Sequence, residues 1–164
     1  MKNITQNSKQ NSKQNSKQNN LISKIKQFFY SNGWEPLPYQ IESWEAFLNG
    51  DNGIIQVPTG CGKTYAALMG PLSQIEDHKN NKSVNILLIT PLKALSRDLK
   101  NSIQIAALHF NKEITVEIRN WDTTPYEKKK QLAKPPNILI TTPESLSLLL
   151  SNKNLIIFSR SCHQ

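Results

Sequence analysis

One short segment of the chain has residue types and a spacing that suit the binding of phosphate groups. It reads Pro58-Thr59-Gly60-Cys61-Gly62-Lys63-Thr64, and residues 58–64 are called the glycine loop below. Glycine lacks a Cβ, so the backbone can turn sharply here and approach a ligand closely. Successive N–H groups in such a turn, and at the start of a helix that follows it, favour an anion.

The two side chains that close the glycine loop complete this chemistry. Lys63 is expected to place its ammonium on the β- and γ-phosphates of a nucleotide, and Thr64 to offer its hydroxyl to Mg²⁺. We therefore predict Lys63 and Thr64 as catalytic residues and Thr64 as the metal ligand. The strict phosphate-loop pattern has a further glycine where this chain has Val57. The alternative is a glycine-containing strand-to-helix turn with a surface lysine.

A strand before the glycine loop and a helix after it must hold it in place. The apolar run 53–57 predicts the strand, and the run from Tyr65 predicts a helix that Gly70-Pro71 interrupts. Upstream, apolar residues at helical spacing predict a helix from Leu21 and a second one over 39–48.

Gln40 is a second candidate for nucleotide recognition. Its carboxamide donates and accepts at once, which matches the N6 and N7 edge of adenine. The alternative is an ordinary glutamine at a helix start. The predicted nucleotide-binding residues are Gln40, Thr59, Gly60, Cys61, Gly62, Lys63 and Thr64.

Strands and helices alternate along the rest of the chain. Apolar runs predict strands at 84–90, 114–118 and 137–141, each followed by a helical pattern. This alternation predicts an α/β fold with a parallel sheet and helices on both faces. Ligands bind such sheets at the carboxyl ends of the strands, so the glycine loop, 90–95 and 141–146 are expected to form one surface.

Composition narrows the class of protein. The 164 residues carry a formal charge of +8, and half of it comes from four lysines, with no acid, in residues 1–20. A basic balance is compatible with a nucleic-acid partner. Residues 7–18 repeat Asn-Ser-Lys-Gln, so 1–20 is expected to be a disordered tail. No apolar run approaches the roughly 20 residues of a membrane helix, and we expect a cytoplasmic protein without membrane contact.

The motifs, in this order, resemble the first motor domain of superfamily 2 helicases. The glycine loop is similar to motif I, Thr90–Leu95 to motif Ia, and Thr142–Leu146 to motif Ib. Residues 33–40 resemble the Q motif in the form of the large helicase-related (Lhr) proteins, particularly the DEXH-box helicases encoded beside a DNA ligase. The resemblance covers residues 22–154.

This resemblance implies a P-loop, RecA-like fold with ATP and Mg²⁺ as cofactors, and single-stranded or partly duplex DNA as partner, in DNA repair. It also implies that Gln40 reads adenine. The residues implied to hold the sugar-phosphate backbone are Pro91, Leu92, Lys93, Ala94, Thr142, Pro143, Glu144 and Ser145. The alternative for each of these turns is a plain helix cap.

Two departures from the family pattern matter. Relatives have Gly-Asp-Thr where this chain has Trp121-Asp122-Thr123, and the tryptophan could either obstruct a backbone approach or stack on a base. Relatives also continue into Asp-Glu-x-His, whose acids hold Mg²⁺ and position the attacking water, whereas no Asp or Glu follows Glu144 here. Residues 21–154 are thus expected to be an incomplete first motor domain, and 155–164 a divergent or frame-shifted end.

The expected function is the ATP-binding N-terminal portion of an ATP-dependent DEXH-box DNA helicase that alone does not hydrolyse ATP usefully. One alternative is a non-catalytic remnant or a nucleotide- or nucleic-acid-binding module. Another is a small-molecule kinase, which leaves the motifs at 90–95 and 142–146 unexplained.

Overall fold

The computed structural model describes residues 3–75, 83–91, 95–110 and 113–151, with the backbone alone described for 3–13 and Leu95. The predicted C-terminal end at 155–164 lies outside these residues. The chain divides into two compact units, Met1–Ile75 and Glu76–Gln164. The helices described in the first unit are α1 (Asn3–Ser31), α2 (Pro38–Leu48) and α3 (Lys63–Ser73). The elements described in the second are β1 (Ile86–Ile89), α4 (Leu95–Phe110), β2 (Val116–Arg119), α5 (Pro125–Ala133), β3 (Ile138–Thr141) and α6 (Pro143–Ser151).

Helix α1 runs through the polar repeat, in the segment 1–20 for which the sequence predicts a disordered tail. It begins at Asn3, whereas the apolar pattern begins only at Leu21. The repeat contains no proline or glycine, and Lys and Gln are good helix formers, so the helix can extend backwards without a break. Gln18 adds a tertiary contact, because its Nε2 donates to the carbonyl oxygen of Leu48 at 2.8 Å.

An aromatic cluster forms the core of the first unit. Phe28 and Phe29 of α1 are almost fully buried, and the ring of Phe29 lies 5.2 Å from that of Trp44 in α2. The ring of Tyr65, in the first turn of α3, lies 5.7 Å from that of Phe28. The indole N–H of Trp44 also donates to the carbonyl oxygen of Tyr65 at 3.0 Å. The cluster therefore fixes the helix that follows the glycine loop against the two helices that precede it.

Helix α3 continues through Pro71, where the sequence predicts an interruption. The helix ends at Ser73, so the proline lies in its last turn and removes one backbone hydrogen bond close to the point where the helix stops. Gly70 lets α3 approach α2 closely, since a Cβ at this position would lie 3.0 Å from Cδ1 of Phe47.

The predicted strand over residues 53–57 is wrong for this structure. These residues have no regular secondary structure, and Ile54 is 95% exposed. A strand exists only where neighbouring strands complete its backbone hydrogen bonds. Within the described residues no ladder hydrogen bond reaches this run. An apolar run shows that a segment can be a strand, but not that a partner is in place.

The second unit contains a three-stranded parallel sheet in the order β1-β3-β2. All four residues of the central strand β3 are buried. Leu139 packs with Leu149 of α6 and with Val84 in one apolar cluster. Because side chains alternate along a strand, Ile138 and Ile140 point to the other face, and both are also fully buried.

Polar side chains at both ends of β3 fix the register of the sheet. At the start, the side-chain oxygen of Asn137 accepts from Thr115 N at 3.0 Å, and its backbone oxygen accepts from Asn85 N at 2.9 Å. At the end, Thr141 Oγ1 donates to the carbonyl oxygen of Arg119 at 2.8 Å. The carboxyl ends of the strands are thus tied together. None of the described helices is long and apolar enough to cross a membrane.

Candidate functional site

The backbone of the glycine loop requires its glycines. Gly60 and Gly62 have φ values of +84° and +85°, in the left-handed region that costs other residues about 1–2 kcal/mol. Helix α3 begins at Lys63, directly after the second glycine. Gly62 occupies the N-cap position and provides no side-chain cap, so the helix dipole and the first N–H groups of α3 are available to an anion.

The ammonium of Lys63 is held by the loop itself. Its Nζ donates to the carbonyl oxygens of Val57 at 2.6 Å and Pro58 at 2.8 Å. Both acceptors are neutral, whereas a phosphate oxygen is anionic and adds Coulomb attraction to the ammonium. An incoming phosphate would therefore compete effectively for this cation, which fits the role predicted for Lys63.

Two consecutive side chains at the start of α2 form hydrogen bonds with the glycine loop. The hydroxyl of Tyr39 donates to the carbonyl oxygen of Cys61 in a short hydrogen bond. Nε2 of Gln40 donates to the carbonyl oxygen of Gly62 at 3.2 Å, and its Oε1 accepts from Leu37 N at 2.9 Å. The carboxamide of Gln40 thus joins the start of α2 to the loop.

The recognition of adenine by Gln40 remains a prediction. The side chain is 3% exposed, and the two hydrogen bonds to Leu37 and Gly62 use one of its two N–H groups and one of its two acceptor positions. Gln40 also makes a hydrogen bond with the Tyr39 hydroxyl, so the N6 and N7 edge of an adenine would have to replace one of these bonds.

Tyr39 is a residue of the site that the sequence reasoning missed. The sequence feature that could have revealed it is the position of Tyr39 beside Gln40 at a helix start. From there the polar groups of both side chains reach the glycine loop, 22 residues later in the chain. Burial raises the pKa of the Tyr39 hydroxyl, the neighbouring Cys61 raises it further, and the hydrogen bond with Gln40 opposes the rise. The hydroxyl therefore keeps its proton, and can donate, at neutral pH.

The remaining predicted ligands lie on the glycine loop or just after it. Thr59 is exposed, while Cys61 is a partly buried free thiol and Thr64 is partly buried in the first turn of α3. A groove of about 510 Å³ lies between α2 and residues 53–57. In the described part of the chain no group of three or more His, Cys, Asp or Glu side chains could hold a metal ion.

The turn after β1 is only partly described. Thr90 is 8% exposed, and its N–H donates to the carbonyl oxygen of Thr141 at 2.9 Å. Pro91 is exposed, whereas Leu92, Lys93 and Ala94 lie outside the described residues. The predicted nucleic-acid contacts of these four residues therefore stay predictions.

The turn after β3 caps helix α6. Thr142 and Ser145 are 5% and 8% exposed, and Thr142 Oγ1 donates to Ser145 Oγ at 3.2 Å. The N–H of Ser145 points to Thr142 Oγ1 at 3.4 Å. Both hydroxyls thus serve the cap, and Pro143 and Glu144 are the exposed members of the predicted set.

Glu144 is an unfavourable partner for a phosphate. Its own backbone N–H, and then the Thr142 side chain, lower the pKa of its carboxyl, so it is ionised at neutral pH. A nucleic-acid phosphate that contacts this turn would have to bind N–H groups at the start of α6 and stay away from the Glu144 carboxylate. The glycine loop belongs to the first unit and the turns at 90–95 and 141–146 belong to the second, so one surface formed by all three stays a prediction.

Comparisons with known proteins agree with these motifs. The sequence matches the DEAD/DEAH box helicase family over residues 37–161. It is 32% identical over 139 residues to the Lhr helicase/probable uracil glycosylase of Mycolicibacterium smegmatis, an alignment that covers 77% of this chain and 9% of that protein. It is 41% identical over 111 residues to the ATP-dependent helicase Lhr-Core of Sulfolobus acidocaldarius, covering 62% of this chain and 13% of that protein. The chain thus spans a small part of the length of these curated relatives.

A solved structure shares the fold. The structure of the Mycobacterium smegmatis helicase Lhr bound to ssDNA and AMP-PNP matches with a TM-score of 0.67 and 32% identity. The match covers 77% of this chain and 17% of that one. The predicted α/β, RecA-like fold class and the resemblance to Lhr-type helicases are both confirmed.

Proposed function

Because the chain belongs to the DEAD/DEAH box helicase family, we propose that it carries the ATP-binding portion of an ATP-dependent DEXH-box DNA helicase of the Lhr type, acting in DNA repair. The observation that carries the proposal is the glycine loop, with two left-handed glycines followed by a lysine at the start of a helix. Such a loop directs backbone N–H groups and one ammonium at a phosphate chain. ATP, when bound, supplies the free energy that drives movement along a strand.

Each predicted nucleotide contact has a support in the structure. Lys63 already directs its ammonium at oxygen atoms of the loop, Thr64 lies in the first turn of α3, and Gln40 touches the loop from α2. We assign the triphosphate to the glycine loop, Mg²⁺ to Thr64, and adenine to Gln40.

The nucleic-acid partner that we propose is single-stranded or partly duplex DNA. The relative from Mycobacterium smegmatis is described as bound to ssDNA, and that description concerns that protein. In the present chain, the N-terminus of α6 and the exposed Pro91 are the described parts of the two turns assigned to the sugar-phosphate backbone. Contacts of this kind position a strand without reading its sequence.

A polypeptide of these 164 residues is proposed to bind ATP without useful turnover. No Asp or Glu follows Glu144 in the sequence, so it lacks the acid pair that orients Mg²⁺ and the attacking water in the family. This favours nucleotide binding as the activity of a polypeptide of these residues by itself.

The test is nucleotide binding by wild type, Lys63→Ala and Lys129→Ala, measured with a fluorescent ATP analogue. Loss of a charged hydrogen-bond partner, worth about 1.5–3 kcal/mol, predicts roughly tenfold to hundredfold weaker binding for Lys63→Ala. Lys129 is exposed on α5, so its replacement controls for lost charge and should bind like wild type. Equal affinity of all three proteins would refute the nucleotide site. DNA-stimulated ATP hydrolysis that is lost in Lys63→Ala would refute only the proposed lack of turnover. The nucleotide site would still stand.

A further inference from the structure

We propose that Trp121 is a stacking platform for one base of a single strand, beside the turn that starts α6. The inference rests on the proposed nucleic-acid function and adds a base contact to it. The proposed ligand of Trp121 is a nucleobase.

Trp121 lies next to the proposed backbone-binding turn. Strand β2 ends at Arg119, two residues before the tryptophan, and Arg119 is the register partner of Thr141 at the end of β3. The Thr141 hydroxyl donates to the Arg119 carbonyl oxygen, so the two strand ends cannot separate without losing a buried hydrogen bond. The chain then continues from Thr141 into the first turn of α6.

The indole is exposed where a ligand could reach it. Its side chain is 67% exposed, although tryptophan is among the side chains with the most apolar surface to bury. In the described part of the chain no other aromatic ring packs against it. A single exposed aromatic residue needs no explanation by itself, so the argument depends on what surrounds it.

The turn that carries Trp121 is held rigidly on both sides. The N–H of Asn120 donates to Thr123 Oγ1 at 2.9 Å, and the side-chain oxygen of Asn120 accepts from Asp122 N at 3.0 Å. Immediately afterwards, Thr124 and Glu127 cap α5. A turn with a fixed backbone limits the entropy that is lost when a base stacks on the indole it carries.

A small cavity of about 160 Å³ lies against the indole. It lies below the roughly 300–1,000 Å³ of ordinary small-molecule pockets, so it suits one planar group. Its wall combines the apolar Leu148 with the polar Ser145 and the cation Lys128. An apolar surface with an ammonium at its side matches a base joined to a phosphate-bearing sugar.

This geometry favours a stacking role over an obstructing one. Base–aromatic stacking tolerates any sequence, since every base has a π-face. It also requires an unstacked base, which a single strand offers and an intact duplex does not. Trp121 would therefore add a preference for single strands to contacts that otherwise bind phosphates.

The test compares an oligothymidylate strand of roughly 12 nucleotides, within the site sizes known for single-strand binding, with an abasic strand of equal length. Fluorescence anisotropy gives both affinities for wild type, Trp121→Ala, Trp121→Phe and Tyr126→Ala. We expect Trp121→Ala to weaken binding of the thymidylate strand by roughly fivefold to a hundredfold, the range of one stacked base, and to leave the abasic strand unchanged. Trp121→Phe should retain most of the affinity. Tyr126, exposed on α5 and outside the cavity, is the matched aromatic control.

Each other outcome overturns the proposal in a distinct way. Equal weakening for both strands would mean that the indole acts on the fold or on phosphates. Unchanged or tighter binding by Trp121→Ala would mean that no base stacks there, and would leave the nucleic-acid function standing. Wild-type protein that binds neither strand would overturn the nucleic-acid function as well. Self-association that Trp121→Ala abolishes would assign the surface to a second copy of the chain.

Discussion

Gln40 Nε2 donates a hydrogen bond to the carbonyl oxygen of Gly62 at 3.2 Å, and it would lie only 2.6 Å from a Cβ at Gly62. The glycine is therefore required twice, once by its φ of +85° and once by the close approach of this amide. Gly60 has nearly the same φ, but nothing lies within 4 Å of the position where its Cβ would be. A comparison of the two positions therefore separates the cost of backbone strain from the cost of a steric clash.

The first prediction compares Gly62→Ala with Gly60→Ala. Both variants should lose about 1–2 kcal/mol from left-handed backbone strain, and Gly62→Ala should lose more because its Cβ displaces Gln40. Urea unfolding followed by tryptophan fluorescence measures both losses. Adding Gln40→Ala to each variant should reduce the excess loss of Gly62→Ala, since residues in contact do not act additively. Equal losses for the two single variants would contradict the close contact.

The second prediction concerns the hydroxyl of Tyr39. Tyr39→Phe keeps the ring but removes the donor to Cys61, and should cost about 1 kcal/mol of stability together with a few-fold loss of nucleotide affinity. Tyr126→Phe, at a side chain that is 79% exposed, is the control and should change neither. Calorimetric binding and urea unfolding test both effects. A Tyr39→Phe protein with wild-type affinity would show that the Tyr39 hydroxyl does not order the loop for nucleotide binding.

The third prediction follows from the raised pKa of Tyr39. A raised folded-state pKa means that the neutral phenol is the stabilising form. Its contribution is complete below the unfolded tyrosine pKa of about 10 and is lost as pH rises through the higher folded-state pKa. The stability advantage of wild type over Tyr39→Phe should therefore shrink above pH 10. An advantage that stays constant at high pH would rule out this hydrogen bond as its source.

The fourth prediction concerns the carboxylate that caps α5. Glu127 Oε2 accepts from Thr124 N at 2.9 Å and from Thr124 Oγ1 at 2.8 Å, and these bonds lower the pKa of Glu127. A lowered folded-state pKa contributes stability above the unfolded value of about 4.3, which is lost as pH falls through the folded one. The difference in melting temperature between wild type and Glu127→Gln should thus disappear on acidification below pH 4. Glu35→Gln, at an exposed carboxylate outside the described helices, is the control.

Most helices and strands could be predicted because they depend on local patterns. The runs predicted as strands at 84–90, 114–118 and 137–141 contain or overlap β1, β2 and β3, in that order, and Pro125 and Pro143 begin helices as proline does in a first turn. The run at 53–57 has the same apolar character and is not a strand, because a strand also needs partners that periodicity does not reveal.

The sequence by itself determined the glycine loop, the order of the motifs and the α/β class. Glycine at a left-handed φ, proline at a helix start and apolar periodicity are local requirements that neighbouring residues reveal. Only the tertiary structure decided that Tyr39 and Gln40 hold the loop, and that Thr142 and Ser145 turn their hydroxyls toward a buried cap. The contact between Gln18 of α1 and Leu48 of α2 is likewise visible only in the tertiary structure. Side-chain hydrogen bonds follow from which helices and turns pack together, and that packing is absent from any local pattern.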